Sequence, residues 1–217
     1  MAMKLVFPYG ETELEHLRAR DKQLGFAIDT LGMIEREVDP DLFASLVKSI
    51  VGQQISTKAQ LTIWARMRNL LGVVSPDTIA VASIDQLQSC GISFRKASYI
   101  KSVAEEVYSG NLNLSTLAHM SDEEVCRKLS ALKGVGVWTA EMLMLFSMQH
   151  PDVVSYGDLA ILRGMRMLYH HRKITPKLFA KYKRRYSPYG SVASLYLWAI
   201  AGGSIEGMKD YAPKKRS

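Results

Sequence analysis

Cysteine is scarce and long apolar runs are missing, and each absence excludes a class of protein. Only Cys90 and Cys126 occur in 217 residues, which excludes a disulfide-stapled miniprotein and indicates a reducing compartment. No run of about 18 apolar residues exists to span a bilayer. The N-terminal apolar stretch is too short for a secretory signal. The sequence therefore predicts a soluble intracellular protein, whose 47% hydrophobic residues suffice for a core.

Acidic residues are scarce in the last quarter of the chain. Residues 163–217 hold 13 Lys and Arg against 2 Asp and Glu, whereas residues 1–162 hold 15 against 19. Charge segregated in this way indicates a face for a polyanion, with DNA or RNA as the leading candidates. A solvated basic surface is the plain alternative, and charge alone does not choose between nucleic acid and an acidic membrane.

Strand signals and linkers are absent as well, and helical periodicity takes their place. No alternating run ends in a tight turn, and no Gly/Ser-rich stretch divides the chain. Asp39-Pro40 predicts the N-cap and first turn of a helix, and Ser121 with Glu124 predicts a capping box that opens a helix through Leu132. Further helices are expected over Thr57–Leu71 and Ser93–Ser109. Others are expected to begin at Ser75, at Ser83, near Asp158, at Thr175 and after Pro188. The pattern predicts an all-α protein of roughly nine or ten short helices.

A glycine pair, Gly134 and Gly136, interrupts the helical pattern after Leu132. Two glycines one residue apart allow a tight hairpin and leave backbone N–H groups uncovered by side chains. A new helix begins directly after them, so its first N–H groups and the positive end of its dipole face one side, where a phosphate fits. An ordinary turn is the alternative reading of such a pair.

One acid, Asp158, follows 22 residues after Gly136, between an apolar segment and the basic part of the chain. Its place in Gly157-Asp158-Leu159 predicts a helix N-cap. A capping role worth roughly 1 kcal/mol is the plain alternative to a chemical one.

Taken together, these segments resemble the helix-hairpin-helix Gly/Pro-Asp (HhH-GPD) superfamily of DNA glycosylases, and within it the 3-methyladenine DNA glycosylase II group. The matching motifs run in order over about residues 40–200 and are Val51–Ser56, Gly91–Ser93 with Lys96-Ala97, Leu132–Ala140, Gly157–Leu159, and Pro188-Tyr189 with Tyr196–Trp198. The resemblance implies an all-α fold of two helical lobes with a DNA-binding cleft. One lobe would span residues 39–149, with the helix-hairpin-helix at about 121–148, and the other residues 1–38 and 150–217. We expect no N-terminal β-domain.

The resemblance also implies an activity. It points to a monofunctional DNA N-glycosylase of base-excision repair, which flips out alkylated purines such as 3-methyladenine and 7-methylguanine and removes them by hydrolysis. Asp158 would be the catalytic residue, whose carboxylate stabilises an oxocarbenium-like transition state or orients the attacking water. Bifunctional relatives carry a lysine where Trp138 stands, so we expect an abasic product and no AP-lyase step.

The same resemblance assigns the remaining site residues. Gln54 matches the wedge that fills the DNA stack, although helix capping by Gln53 and Gln54 stays open. The base pocket would be formed by three aromatic residues, for which core packing is the alternative: Trp138, Tyr156 and Tyr189. Phosphate binding would fall to the hairpin residues Lys133, Gly134, Gly136, Val137 and Thr139. The carbonyls of Leu132 and Val135 match a monovalent-cation site for Na⁺ or K⁺.

For cofactors and partners the expectations are as follows. We expect no cofactor beyond that cation and no iron–sulfur cluster, because neither cysteine lies in the C-terminal third. The expected partner of this monomer is double-stranded DNA with damaged bases, in the cytoplasm and nucleoid or in a nucleus, and not a membrane. Two alternatives stay open: the same fold acting on hypoxanthine or an oxidised purine, and a non-catalytic hairpin protein that binds DNA. Asp158 favours an enzyme, since a pure binder has no need of an acid that repels phosphates.

Overall fold

A computed structural model describes residues 5–213, and helices make up nearly all of the regular secondary structure in this range. The helices are α1 (Glu11–Arg20), α2 (Lys22–Leu31), α3 (Leu42–Gly52), α4 (Thr57–Leu71), α5 (Pro76–Val81), α6 (Ile84–Ser89), α7 (Phe94–Tyr108), a 3₁₀ helix (Leu114–His119), α8 (Asp122–Ser130), α9 (Val137–Phe146), α10 (Leu159–Tyr169), α11 (Pro176–Tyr186) and α12 (Gly190–Ala201). Val6 and Glu37 form an isolated antiparallel bridge, and no sheet forms in the described range. The prediction of an all-α fold is confirmed.

Most helices begin where local polar chemistry predicts. Ser83 and Ser121 each accept a hydrogen bond from the backbone N–H three residues on, and Gln86 and Glu124 complete the two capping boxes. These pairs satisfy N–H groups that a helix start otherwise leaves without a partner. The described range holds twelve α-helices and one 3₁₀ helix, more than the roughly nine or ten expected. The excess comes from α1 and α2, which precede the first expected helix, and from the 3₁₀ helix between α7 and α8.

Helix α3 begins later than the sequence prediction. Its N-cap is Asp41, whose Oδ1 accepts from the Ala44 N–H at 2.9 Å, and the predicted cap Asp39 lies before it. The Asp39 N–H donates to Phe146 O at 3.1 Å, a contact between distant residues that no local pattern encodes. Proline at position 40 therefore precedes the N-cap and does not open the first turn.

Helix α8 ends earlier than the sequence prediction, at Ser130, so Leu132 lies in the turn that follows. The Leu132 N–H bonds to Leu129 O at 3.2 Å, a tightened last turn that closes the helix. The hairpin turn between α8 and α9 consequently runs over residues 131–136.

The chain forms two compact units. One holds the residues up to Val38 and from Gln149 onward, with α1, α2, α10, α11 and α12, and we call it the Asp158 unit. The other, Asp39–Met148, holds α3 to α9 and is called the hairpin unit. Each unit has its own buried apolar core. Within residues 5–213, no helix combines the length and the apolar character needed to cross a bilayer.

Close packing of α10 on α12 organises the Asp158 unit. A Cβ at Gly164 would lie 2.2 Å from Leu197 O, so only glycine lets the two backbones approach this closely. Helix α12 is buried along nearly all of its length. The start of α10 is thereby fixed against the side chains of α12.

Candidate functional site

Asp158 lies at the N-cap of α10 and is only 7% exposed. Its Oδ1 accepts from the N–H groups of Ala160 and Ile161, each at 2.9 Å, and from Trp198 Nε1 at 3.2 Å. The first two bonds cap α10, and the third reaches from α12, 40 residues along the chain. A carboxylate at a helix N-terminus also meets the positive end of the helix dipole. The side chain is therefore held in one orientation by two different helices.

The segment that leads to Asp158 is fixed by polar side chains of α12. Ser194 Oγ donates to Val153 O at 2.9 Å, and Ser191 Oγ accepts from the Val153 N–H at 3.0 Å. Both serines are fully buried, as is Ser155 in the segment itself. Asp152 accepts from the Gly190 N–H at 3.0 Å, at the start of α12. A buried polar network that is satisfied in this way specifies one backbone path.

Two of the predicted pocket aromatics belong to the Asp158 unit. Tyr156 is 40% exposed, packs edge-on against Phe179 with the ring centroids 5.1 Å apart, and directs its hydroxyl towards Ile174 O at 3.4 Å. Tyr189 is half-buried and meets the ring of His16 edge to face at 5.2 Å. Both rings thus keep part of their surface outside the core, which a contact with a ligand requires.

The hairpin turn presents backbone donors at the start of α9. Gly136 is the N-cap and has no side chain to cover the first N–H groups, and a Cβ there would meet nothing within 4 Å. Val137 and Trp138, the first residues of α9, are 57% and 49% exposed, and Lys133 is exposed in the turn. Thr139, one residue further into α9, is only 6% exposed. This geometry suits an anion at the helix N-terminus.

Gln54 lies in the turn between α3 and α4 and is exposed. Its φ of 58° is in the left-handed region, which a residue with a Cβ seldom adopts. Lys96 Nζ donates to Val51 O at 2.8 Å and to Gln53 O at 2.6 Å, both at the end of α3 and just before Gln54. Burial lowers the pKa of the Lys96 ammonium, and Arg95 acts in the same direction.

A side chain joins this turn to the hairpin. Gln53 Nε2 donates to Gly134 O at 2.7 Å, across 81 residues of sequence. Gln53 and Gln54 therefore have different positions, since the first is turned towards the protein and the second is exposed.

Metal ligands are few near these residues. Between residues 5 and 213, no three His, Cys, Asp or Glu side chains gather where they could hold a metal ion. Of the two carbonyls predicted for a monovalent cation, Leu132 O already accepts from the Val135 N–H at 3.0 Å. A carbonyl has a second lone pair, so this bond leaves room for an ion.

Comparison with known proteins shows which family the chain belongs to. Residues 47–188 match the family model described as HhH-GPD superfamily base excision DNA repair protein, a range that contains Gln54, the hairpin and Asp158. The chain belongs to this superfamily.

Individual relatives agree with the HhH-GPD assignment. DNA-3-methyladenine glycosylase 1 of Schizosaccharomyces pombe is 32% identical over 161 residues, which are 72% of this chain and 71% of the relative. The crystal structure of a DNA-3-methyladenine glycosidase from Bacillus halodurans is 36% identical, covers 96% of this chain and 97% of its own, and superposes with a TM-score of 0.85. A 3-methyladenine DNA glycosylase of S. pombe in complex with abasic DNA is 28% identical, covers 87% and 95%, and has a TM-score of 0.72.

The sequence predicts no role, or only a capping role, for three side chains that the structure places at the candidate site. Trp198 and Lys96 lie in motifs that match the superfamily, yet the sequence predicts no role for them, and for Gln53 it predicts only a helix cap. Their partners, Asp158, the α3–α4 turn and Gly134, are 40 or more residues away in sequence. The family motifs were the one signal that marked these positions in advance.

Proposed function

We propose that this chain is a DNA glycosylase of base-excision repair that removes alkylated purines, 3-methyladenine and 7-methylguanine among them. Membership of the HhH-GPD superfamily supports the proposal, and so do the names of its relatives, which include glycosylases of 3-methyladenine from a yeast and a bacterium. The partner is double-stranded DNA that contains damaged bases, and a DNA substrate supports an intracellular location.

The observation that carries the proposal is the position of Asp158. Its carboxylate is oriented by the N–H groups of α10 and by Trp198, and is nearly buried. In the reaction the bond from C1′ to the purine breaks and its electron pair leaves with the base. Positive charge then develops on the sugar, and a fixed carboxylate stabilises it. Water adds its hydroxyl to C1′, and its proton passes to the carboxylate or to solvent.

The chain is proposed to act by hydrolysis alone. A lyase step needs an amine to form a Schiff base with C1′, and the start of α9 carries Trp138 where bifunctional relatives carry a lysine. Helix α9 has no lysine along its length, and Lys133 belongs to the turn before it. These facts support an abasic product in an uncut strand.

The remaining proposed roles are phosphate binding, filling of the DNA stack and recognition of the damaged base. The hairpin turn with Lys133 and the first N–H groups of α9 would bind DNA phosphate, assisted by Na⁺ or K⁺ at the carbonyls of Leu132 and Val135. Gln54 would fill the gap left by the flipped nucleotide. Exposed aromatic rings suit cationic alkylpurines, which stack well on electron-rich faces, and the candidates are Trp138, Tyr156 and Tyr189. One chain suffices for one flipped base, so the enzyme is proposed to act as a monomer.

The experiment that tests this function is base release from a panel of duplex DNAs. Methylated DNA should yield free 3-methyladenine or 7-methylguanine on chromatography, the DNA strand should stay intact until alkali is added, and borohydride should trap no protein–DNA adduct. A borohydride adduct would overturn the hydrolytic assignment. Release only of hypoxanthine or an oxidised purine would change the lesion class, and DNA binding without release of any base would indicate a non-catalytic binder.

A further inference from the structure

The turn that carries Gln54 and the hairpin turn share one support, which is a face of α7. Lys96 lies on this helix and donates to Val51 O in the last turn of α3 and to Gln53 O directly before Gln54. Tyr99 follows three residues later, on the same face of α7. Its ring lies under Gly134, where a Cβ would come within 2.3 Å of Tyr99 Cδ2. One helix face therefore supports both turns at once.

A direct bond completes the connection. Gln53 Nε2 donates to Gly134 O at 2.7 Å, so the residue before Gln54 is fastened to the middle of the hairpin. Gly134 has a φ of 84° and its space is closed by Tyr99, so the position admits glycine alone. Lys96 also stabilises the left-handed backbone of Gln54, because it bonds to the carbonyls of Val51 and Gln53 that precede this residue.

We propose that Gln53 and Lys96 are positioning residues that lock the Gln54 turn to the hairpin, so that phosphate binding at the hairpin sets the depth to which Gln54 enters the DNA stack. The inference rests on the proposed function, which assigns DNA to both turns. Because the two turns are linked, a DNA contact at the hairpin turn fixes the position of the Gln54 turn within the hairpin unit.

The test uses insertion into DNA as its readout, and so it does not depend on base release. The probe is a duplex with a tetrahydrofuran abasic analogue beside a 2-aminopurine, whose fluorescence rises when the neighbouring stack is opened. Gln53→Met keeps the length of the side chain and removes its N–H donor without adding a charge, and Lys96→Met keeps the length and removes the ammonium. Either variant suffices for the test if the other fails to fold.

A matched control lies on the same helix. Lys101 is also on α7 and its Nζ donates to the carbonyls of Ile79 and Ala82 at 3.4 and 2.8 Å, at the end of α5. Lys101→Met therefore removes the same kind of lysine–carbonyl contact from the same unit, away from both turns. A loss that came only from a destabilised unit would appear equally in this variant.

At saturating protein, wild type and Lys101→Met should give the full fluorescence rise, while Gln53→Met and Lys96→Met should give less than half of it. DNA affinity should change by no more than about threefold, because most of it comes from phosphate contacts. The single-turnover rate of base excision should fall about tenfold for a fully paired lesion, as one or two hydrogen bonds are lost. For the same lesion in a bulge, where little unstacking is needed, the fall should be much smaller.

Three results would overturn the inference. They are a full fluorescence rise in both turn variants, an equal loss in Lys101→Met, and an equal fall in excision rate for paired and bulged lesions. Failure of the proposed function looks different, since wild type would then release no base although the fluorescence pattern of the variants could still hold.

Discussion

At the scale of single residues, Asp158 combines an observed capping task with a proposed catalytic task in one carboxylate. Its Oδ1 caps α10 through the N–H groups of Ala160 and Ile161, and the same capping bonds fix the side chain for chemistry. Asparagine caps helices as well as aspartate does. The structural task and the proposed catalytic task can therefore be separated by exchanging one oxygen for a nitrogen.

Trp198 is the residue whose removal should disturb this acid without unfolding the chain. Trp198→Phe deletes the Nε1–H donor to Asp158 Oδ1 and keeps an aromatic ring on α12. Hydrogen bonds to charged groups contribute about 1.5–3 kcal/mol, so we expect the single-turnover excision rate to fall about tenfold or more. Excision kinetics at saturating enzyme measure this directly.

Tyr196→Phe is the control for that substitution. It removes another aromatic donor of α12, the hydroxyl that donates to Gly32 O at 2.8 Å. It should lower the free energy of unfolding by about 1 kcal/mol and leave the excision rate near that of wild type. Equal excision rates in Trp198→Phe and wild type would refute the positioning role of Trp198.

Residues with local partners were predictable from the sequence, and residues with distant partners were not. Ser121 and Glu124 cap α8 through contacts three residues apart, so their spacing alone predicts them. The same local reasoning predicts Asp39 as the cap of α3 and is wrong, because the helix begins at Leu42 with Asp41 as its N-cap, while the Asp39 N–H bonds to the distant Phe146 O. The partner of Trp198 depends on the packing of α10 on α12, which no local pattern contains.

At the scale of elements, the two regions of the candidate site are built in different ways. Asp158 lies at the start of α10, which packs closely on α12. Leu197 O occupies the space that a side chain at Gly164 would need, so the two backbones are in direct contact. The hairpin and the Gln54 turn are fixed by side chains of α7. The sequence marked both regions by their motifs, but the support that α7 provides became visible only in the fold.

Helix α11 is the element that concentrates the basic charge. Lys177, Lys181 and Arg184 are exposed, share one face, and line a groove of about 390 Å³ together with Thr175 and Leu178. Like charges so spaced repel each other on the helix surface. A polyanion would relieve this repulsion, and a solvated face would not require such clustering.

If this face contacts DNA, its charges should appear in the salt dependence of binding. Replacing Lys177, Lys181 and Arg184 by glutamine should lower the slope of log affinity against log salt by roughly two to three, since each phosphate contact contributes about 0.9. Titrations of undamaged duplex DNA between low and moderate salt give the slope. The control replaces three scattered exposed cations by glutamine: Lys22, Arg68 and Lys209. An equal loss of slope in the control would show that net charge alone matters.

At the scale of the whole molecule, the proposed machinery is divided between the two units. Asp158, Tyr156 and Tyr189 belong to one unit, whereas Gln54 and the hairpin belong to the other. The proposed acid and the proposed wedge and hairpin contacts thus come from separate cores, so the proposed function requires both units. The superfamily match over residues 47–188 likewise extends into both units.

The central claim is that Asp158 drives the removal of alkylated purines, and one comparison tests it. Wild type and Asp158→Asn are incubated with methylated duplex DNA, and the freed bases are separated by chromatography. We expect wild type to release 3-methyladenine or 7-methylguanine and Asp158→Asn to be slower by about 100-fold or more, because a preorganised charge is lost. The variant should keep its fold and its affinity for abasic DNA, since asparagine still caps α10. Excision by Asp158→Asn at the wild-type rate would contradict the account.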